Sequence, residues 1–96
     1  MATAGSQARP DDAAALLDRG NAYFEKGDYD QAIADYDKAI QLMPDDALLY
    51  LLRGLAQREL GKNTEAIADL KKSVELTSNP DVREMAEQAL SELGVQ

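Results

Sequence analysis

The amino-acid sequence predicts an all-α protein built as two helical hairpins closed by a fifth helix. Three observations indicate this fold: the chain repeats itself with a period of about 34 residues, apolar residues recur at helical spacing within each repeat, and turn-forming residues separate the helical segments. A period of this length is typical of solenoid proteins, in which helical units stack in a row. At 96 residues the chain fits one domain, with a disordered leader predicted over 1–10 and a helical domain over 11–94.

The repeat is visible in the residues themselves. The segment Pro10-Asp11-Asp12-Ala13 returns one repeat length later as Pro44-Asp45-Asp46-Ala47. Three further pairs share that spacing: Gly20 and Gly54, Gly27 and Gly61, Ala32 and Ala66. We therefore divide the domain into a first repeat over about 13–46, a second over about 47–79 and a final helix over about 80–94.

The first repeat is predicted to contain two helices. Apolar residues recur at helical spacing from about Asp12 to Lys26, and Gly27 can take the left-handed conformation that ends a helix. Asp28, with Gln31 three residues later, has the pattern of a capping box. A second helix is therefore expected from Asp28 until Pro44 stops it.

The second repeat follows the same scheme, with helices predicted from about Asp46 to Leu60 and from about Thr64 to Thr77. The first of these is apolar on nearly its whole circumference, which is typical either of a buried core helix or of a helix with an open binding face.

The fifth helix is predicted from Pro80 to Gly94, with Asn79 as its N-cap. Its apolar face consists of Val82, Met85, Ala86, Ala89, Leu90 and Leu93. The side that would receive another helix is polar, at Glu84, Gln88 and Ser91. We therefore expect this helix to cap the array.

Small residues at repeated positions have a packing role, because they let two helix backbones approach closely; they are Gly20, Ala32, Ala39, Gly54 and Ala66. In this pattern the sequence resembles the tetratricopeptide repeat family. The first repeat matches the family signature at Leu16, Arg19, Gly20, Tyr23, Ala32, Tyr36, Ala39 and Pro44. The second matches at Tyr50, Arg53, Gly54, Ala66 and Leu70, departs at Gln57 and Ser73, and places its proline, Pro80, two residues late. The resemblance implies a superhelix of two hairpins with a capping helix, and a function in protein–protein interaction.

Composition argues against several classes of partner. Ten Lys and Arg face eighteen Asp and Glu, which gives a net charge of −8. Such a chain repels phosphate backbones and anionic lipid, so we expect neither nucleic acid nor a membrane surface as partner. No apolar stretch approaches the length of a membrane span, and residues 1–9 lack the apolar segment of a signal peptide, so a cytoplasmic location is the default expectation.

The residue types also argue against an enzyme. The chain contains neither Cys nor His, which removes the thiol nucleophile, the commonest general base and the commonest transition-metal ligand. Paired aspartates are interpreted as helix caps or solvated side chains, with Asp35 and Asp37 pointing outward, and none has the spacing of an EF-hand loop. Arg19 and Arg53 recur at equivalent positions and are expected to form surface ion pairs. We predict no cofactor, metal or catalytic residue.

In the family that the sequence resembles, the first helix of each repeat lines a concave groove that holds a peptide or a partner helix. The resemblance places nine candidate binding residues in such a groove: Leu17, Asn21, Phe24, Leu48, Leu51, Leu55, Arg58, Met85 and Ala89. Helical spacing puts Leu48, Leu51 and Leu55 on one face, predicted to be an exposed apolar strip. Asn21 and Arg58 are the expected polar anchors.

A subset of the family clamps the C-terminal carboxylates of chaperones with Lys, Asn and Arg on these faces. Only Asn21 agrees with that set, because the other positions are apolar: Leu17, Leu51, Leu52, Met85 and Ala86. A chaperone clamp is therefore not expected.

The preferred hypothesis is a scaffold or adaptor that takes an apolar segment of another protein. One alternative is a self-assembling unit that forms homo-oligomers through the groove or the cap helix. Another is a fragment or an engineered repeat without a partner of its own.

Overall fold

The computed structural model describes residues 10–95, which form five α-helices in the predicted order: α1 (Pro10–Lys26), α2 (Tyr29–Leu42), α3 (Ala47–Glu59), α4 (Asn63–Leu76) and α5 (Pro80–Glu92). The predicted leader lies outside the described residues except for Pro10, which already belongs to α1. The fold is thus an all-α row of two hairpins and a fifth helix.

Glycines end three of the helices. Gly27, Gly61 and Gly94 have φ angles of 84°, 78° and 88°, in the left-handed region that glycine enters without a steric penalty. The prediction that Gly27 ends the first helix is confirmed. Because the connections between helices are short, consecutive helices run antiparallel, and α1, α3 and α5 therefore point the same way.

The N-caps follow the sequence prediction only in part. The side chain of Asp46 accepts a hydrogen bond from the Leu48 amide at 3.0 Å, and that of Asn79 accepts one from Asp81 at 2.8 Å. Asp28 precedes α2, but its side chain makes no capping hydrogen bond, so the predicted capping box is wrong. Its ψ of 68° departs from the extended backbone that directs an N-cap side chain towards the first turn.

The helices stack as a row rather than closing into a bundle. Each helix packs on the next one along the chain, and α3 also contacts α5. The molecule measures 52 × 28 × 19 Å, as expected of a stack that grows in one direction. The central helix α3 therefore has neighbours on several sides, and its buried residues are Leu49, Leu51, Gly54, Ala56 and Gln57.

Each hairpin closes over a glycine. A Cβ atom at Gly20 would lie 2.7 Å from Cε1 of the Tyr36 ring, and one at Gly54 would lie 3.0 Å from Cγ of Leu70. Both distances are shorter than ordinary van der Waals contact between carbon atoms. The prediction that these glycines permit close helix packing is confirmed.

The capping helix α5 buries one side and exposes the other. Ala86, Ala89 and Leu90 are buried against a cluster that contains Leu51 and Leu70. The predicted polar side is exposed, at Glu84, Gln88 and Ser91.

Candidate functional site

A shallow pocket of about 200 Å³ lies between α3 and α5. We call it the α3–α5 groove and define it by its lining: Leu55, Arg58, Met85, Gln88, Ala89 and Glu92. Four of these residues, namely Leu55, Arg58, Met85 and Ala89, are among the predicted binding residues. The structure therefore brings together the part of the predicted site that belongs to α3 and α5.

The floor of the groove is apolar. Ala89 is almost fully buried, and Leu55 is half-buried against the cluster that joins α3, α4 and α5. Met85 stands at the mouth with 52% of its surface exposed, more than any other large apolar side chain described. Its thioether is unbranched and flexible, so it can adapt to differently shaped apolar groups.

The charged side chains of the groove pair with one another. Arg58 Nη1 lies 2.6 Å from Glu92 Oε1, and Nη2 lies 3.6 Å from Glu59 Oε2. The sequence-based prediction makes Arg58 a polar anchor for a partner carboxylate. In the structure α5 already supplies a carboxylate to Arg58, that of Glu92.

Leu51 does not form part of an exposed strip, contrary to the sequence-based prediction. It is fully buried in the cluster with Leu70 and Ala86, because α5 packs over it. Leu48 remains 37% exposed at the start of α3, and Leu55 lines the groove two turns later. The three-leucine strip is therefore interrupted at its centre.

The predicted binding residues of α1 pack chiefly against α2. Leu17 and Phe24 are half-buried beside the cluster of Ala32, Tyr36 and Ala56, and the Phe24 ring meets the Tyr29 ring edge-to-face with centroids 5.2 Å apart. Neither side chain lines the α3–α5 groove. The α1 part of the predicted site is therefore not part of that groove.

The polar anchor predicted on α1 already has a partner. Asn21 Oδ1 accepts a hydrogen bond of 2.6 Å from the Tyr36 hydroxyl. Burial raises the pKa of Tyr36 to about 12, and the nearby carboxylates of Asp35 and Glu25 add to this shift. The hydroxyl therefore stays protonated and keeps the amide oxygen of Asn21 engaged.

The repeated arginines form ion pairs, as predicted. Arg19 donates from Nε and Nη2 to the two oxygens of Asp35, both at 2.8 Å, and Arg53 binds Asp69 in the same way at 2.7 and 2.8 Å. Asp35 is 3% exposed, so its predicted outward direction is wrong: the fork from Arg19 draws the carboxylate inward. The hydrogen bonds from Arg19 also lower the pKa of Asp35, against the opposing effect of burial.

Sequence reasoning missed two groove residues, Gln88 and Glu92. Helical spacing from Met85 places both on its face, three and seven residues on. Glu92 also follows Arg58 by one repeat length, so the repeat itself brings an acid beside a base. The spacing of one repeat between Arg58 and Glu92 is the feature of the sequence from which this ion pair could have been predicted.

A larger pocket, of about 450 Å³, lies between α4 and α5 and is lined by Lys71, Val74, Glu87, Leu90, Ser91 and Val95. None of the predicted binding residues lines it. Glu87 follows Arg53 by one repeat length and Ser91 follows Gln57 by the same step, positions that in the second hairpin pack towards α4. This pocket is therefore the surface on which a following helix of a stack would lie.

Within the part of the chain that the structure describes, no group of three or more Asp or Glu side chains is arranged to hold a metal ion. None of the described helices is both long and apolar enough to cross a membrane.

Two sequence-family models match the chain. The TPR repeat model matches residues 20–60, and the tetratricopeptide repeat model matches residues 47–80. Together they cover residues 20–80, which is more than half of the chain. The chain belongs to the tetratricopeptide repeat family, whose members are protein-interaction modules.

A solved structure agrees with this assignment. The second TPR domain of Spaghetti (RPAP3), bound to the HSP90 peptide SRMEEVD, superposes with a TM-score of 0.72 at 29% sequence identity, over 88% of this chain and 82% of that one. The first TPR domain of the same protein, bound to the same peptide, matches at a TM-score of 0.42 and 23% identity, over 90% of this chain and 96% of that one, which is too distant to inform the site. No curated protein sequence matches the chain.

Proposed function

We propose that this chain is a protein–protein interaction module that binds a peptide or helix of a partner protein in the α3–α5 groove. The observation that carries the proposal is the exposed Met85 above a floor of Leu55 and Ala89, an apolar surface that the fold leaves open between two helices. Open apolar surface of this kind is typical of binding sites. The related TPR domain of Spaghetti, which is bound to a peptide, supports a peptide-sized ligand.

The size of the groove favours a side chain over a cofactor. Sites for drug-sized small molecules usually enclose about 300–1,000 Å³, which exceeds the volume between α3 and α5. A pocket of about 200 Å³ suits one or two apolar side chains of a longer segment. Leu48, further along α3, extends the apolar contact beyond the pocket.

Catalysis is not part of the proposal. The polar groups in the groove are an amide, Gln88, and the mutually paired Arg58 and Glu92. A chain without His or Cys offers no base and nucleophile pair to this site. The groove residues can therefore bind and orient a polypeptide, and we assign them no further chemistry.

Self-assembly through the same groove is the alternative, and exposed Met85 favours it as much as it favours a foreign ligand. Charge opposes it, because two copies of a chain with net charge −8 repel each other. Sedimentation over a hundredfold concentration range separates the two. We expect a constant monomer mass, and a mass that rises with concentration would favour the homo-oligomer.

The proposal is tested by affinity capture from the source lysate with the native chain and the variant Met85→Arg. Met85 is exposed, so the substitution blocks the groove without disturbing the core. The matched control is Ala68→Arg, which adds the same charge to an exposed position of α4. We expect captured partners to disappear with Met85→Arg and to persist with Ala68→Arg. Capture of the same proteins by both variants would place the binding surface elsewhere.

A further inference from the structure

We propose that Glu92 determines the specificity of the α3–α5 groove: by binding Arg58 it occupies the one basic side chain of the lining, so the groove takes an uncharged apolar segment and not an acidic one. This inference rests on the proposed function and names the class of segment that the same site accepts. It follows from how the polar side chains around the apolar floor are paired.

Three polar side chains line the groove beside its apolar residues: Arg58, Gln88 and Glu92. Arg58 donates a hydrogen bond from Nη1 to Glu92 Oε1 at 2.6 Å, and its Nη2 lies 3.6 Å from Oε2 of Glu59. Gln88 is exposed and uncharged. The lining therefore has one base and one acid that bind each other, and it carries no net charge.

The position of this ion pair in the repeat explains why it forms. Arg58 and Glu92 stand one repeat length apart, each in the last turn of its helix. Because α3 and α5 run parallel, equivalent residues project at the same level, and these two side chains meet. The pair thus spans the two helices at one end of the groove, and Leu55 and Met85 line it at least one turn earlier on their helices.

A ligand carboxylate gains little at this site. To bind Arg58 it has to displace Glu92, so one charge-assisted contact replaces another of the same kind. The base is also the less accessible partner, with 27% of the Arg58 side chain exposed against 54% for Glu92, so a ligand meets the carboxylate first. Like charges brought together across an interface oppose binding. An uncharged apolar segment, in contrast, covers the floor and leaves the pair intact.

The second polar residue of the predicted site is occupied in a similar way. Asn21 on α1 accepts a hydrogen bond of 2.6 Å from the hydroxyl of Tyr36, whose side chain is fully buried. Both polar residues among the nine predicted binding residues are therefore bound by side chains of the chain itself, one by a hydroxyl and one by a carboxylate. What these residues leave open to a ligand is apolar surface, above all Met85.

The inference is tested with two synthetic peptides that differ at one position beside a central leucine, which holds glutamate in one and glutamine in the other. Binding to the full chain is measured by fluorescence anisotropy at about 0.15 M salt, where distant exposed charges are largely screened. The variant Glu92→Gln releases Arg58 and keeps the shape of the side chain. Its matched control, Glu87→Gln, removes the same charge from an exposed position of α5 that lines the pocket between α4 and α5.

We expect the native chain to bind the glutamate peptide no more tightly than the glutamine peptide. Glu92→Gln should strengthen the glutamate peptide about two- to fivefold relative to the glutamine peptide, as expected for one exposed ion pair. Glu87→Gln should leave that ratio within about 1.5-fold of the native value, because its charge lies outside the groove. The double variant Glu92→Gln with Arg58→Gln should lose the gain, because the released base is gone. Adding Glu59→Gln to Glu92→Gln should enlarge it, because this removes the second carboxylate beside Arg58.

Tighter binding of the glutamate peptide by the native chain, or an unchanged peptide ratio in Glu92→Gln, would overturn the role of Glu92. A gain that persists without Arg58 would also overturn it, because simple repulsion by Glu92 would then explain the discrimination. If Met85→Arg still abolishes binding of the glutamine peptide, the groove function survives these results. If neither peptide binds the native chain, the inference fails together with the proposed groove.

Discussion

The two hairpins place equivalent leucines in different surroundings. Leu17 on α1 and Leu51 on α3 stand one repeat length apart, at the same position of the repeat. Leu17 is half-buried beside Leu49 and Ala56 of α3, whereas Leu51 is fully buried among residues of α4 and α5, because α5 packs more closely on α3 than α3 packs on α1. The repeat thus determines which way a side chain points, and the neighbouring helix determines whether it is covered.

Arg19 and Arg53, which occupy the same position of the two repeats, also differ in burial and in the number of partners. Arg19 binds Asp35 of its own hairpin, and 58% of its side chain stays exposed. Arg53 binds Asp69 of its own hairpin and also Asp37 of the preceding one at 2.8 Å, and only 22% of it is exposed. A residue in the middle of a solenoid therefore joins two repeats, while its counterpart at the end stabilises one.

The largest expected effect compares Leu51→Ala with Leu17→Ala. Leu51→Ala leaves a cavity among Leu70, Ala86 and Leu90, and should lower the free energy of unfolding by about 2–5 kcal/mol. Leu17→Ala removes a half-buried side chain, and should lower it by about 1–2 kcal/mol. Urea denaturation followed by circular dichroism measures both. Equal losses would show that position in the stack does not decide burial energy.

The fold was largely predictable from sequence, and the exposed strip was not. The repeat period and the glycines of the turns indicated five helices, which the structure confirms. Whether Leu51 is open or covered depends on how closely α5 packs on α3, through Ala86 and Ala89. Periodicity gives the direction of a side chain along one helix, but it contains no distance between helices.

The ion pairs of the site could not be predicted for the same reason, because the sequence contains no distance between helices. Arg58 looks like a free cation in the sequence, because its partner Glu92 lies a full repeat away on another helix. The positions of its inward-facing neighbours predict that Asp35 is exposed to solvent. The two hydrogen bonds from Arg19 instead hold its carboxylate in the interior. Side chains that pair across helices become predictable only once the register between repeats is known.

A second comparison substitutes alanine at the glycines of the two hairpins. At Gly20 the new Cβ atom would lie 2.7 Å from a fully buried tyrosine ring, so we expect a loss of about 1–2 kcal/mol. At Gly54 the closest contacts are longer, 3.0 Å to Leu70 and 3.3 Å to the carbonyl oxygen of Ala66, so we expect a smaller loss. Both substitutions gain about 1 kcal/mol in helix propensity, which offsets more of the strain at Gly54 than at Gly20. Thermal melting should rank Gly20→Ala as the less stable variant. The reverse order would mean that Leu70 packs more rigidly than Tyr36.

Gln57 is a destabilising residue of the second hairpin, and it occupies the repeat position that Tyr23 occupies in the first. Its Oε1 atom is buried without a hydrogen-bond partner. Gln57→Met, which has a similar shape, should therefore raise the free energy of unfolding by about 1 kcal/mol. The control Gln88→Met changes an exposed residue and should stay within about 0.5 kcal/mol. A destabilised Gln57→Met would show that the amide is satisfied in solution.

The smallest effect at neutral pH concerns Tyr36, which Leu70 replaces in the second hairpin. The folded-state pKa is about 12, above the ordinary value of 10.0. The unfolded chain therefore loses the proton first, so this contribution to stability is complete below pH 10 and is lost as pH rises towards 12. Tyr36→Phe should flatten the decline of unfolding free energy in that window. An unchanged slope in the variant would place the alkaline transition at another residue.

The most direct test of the central claim is a titration of the isotope-labelled chain with a synthetic peptide that forms a helix with one apolar face, followed by amide chemical shifts. The account predicts that the largest changes fall on the α3–α5 groove: Leu55, Arg58, Met85, Gln88, Ala89 and Glu92. Changes centred instead on the pocket between α4 and α5, at Lys71, Val74, Leu90 and Val95, would contradict it.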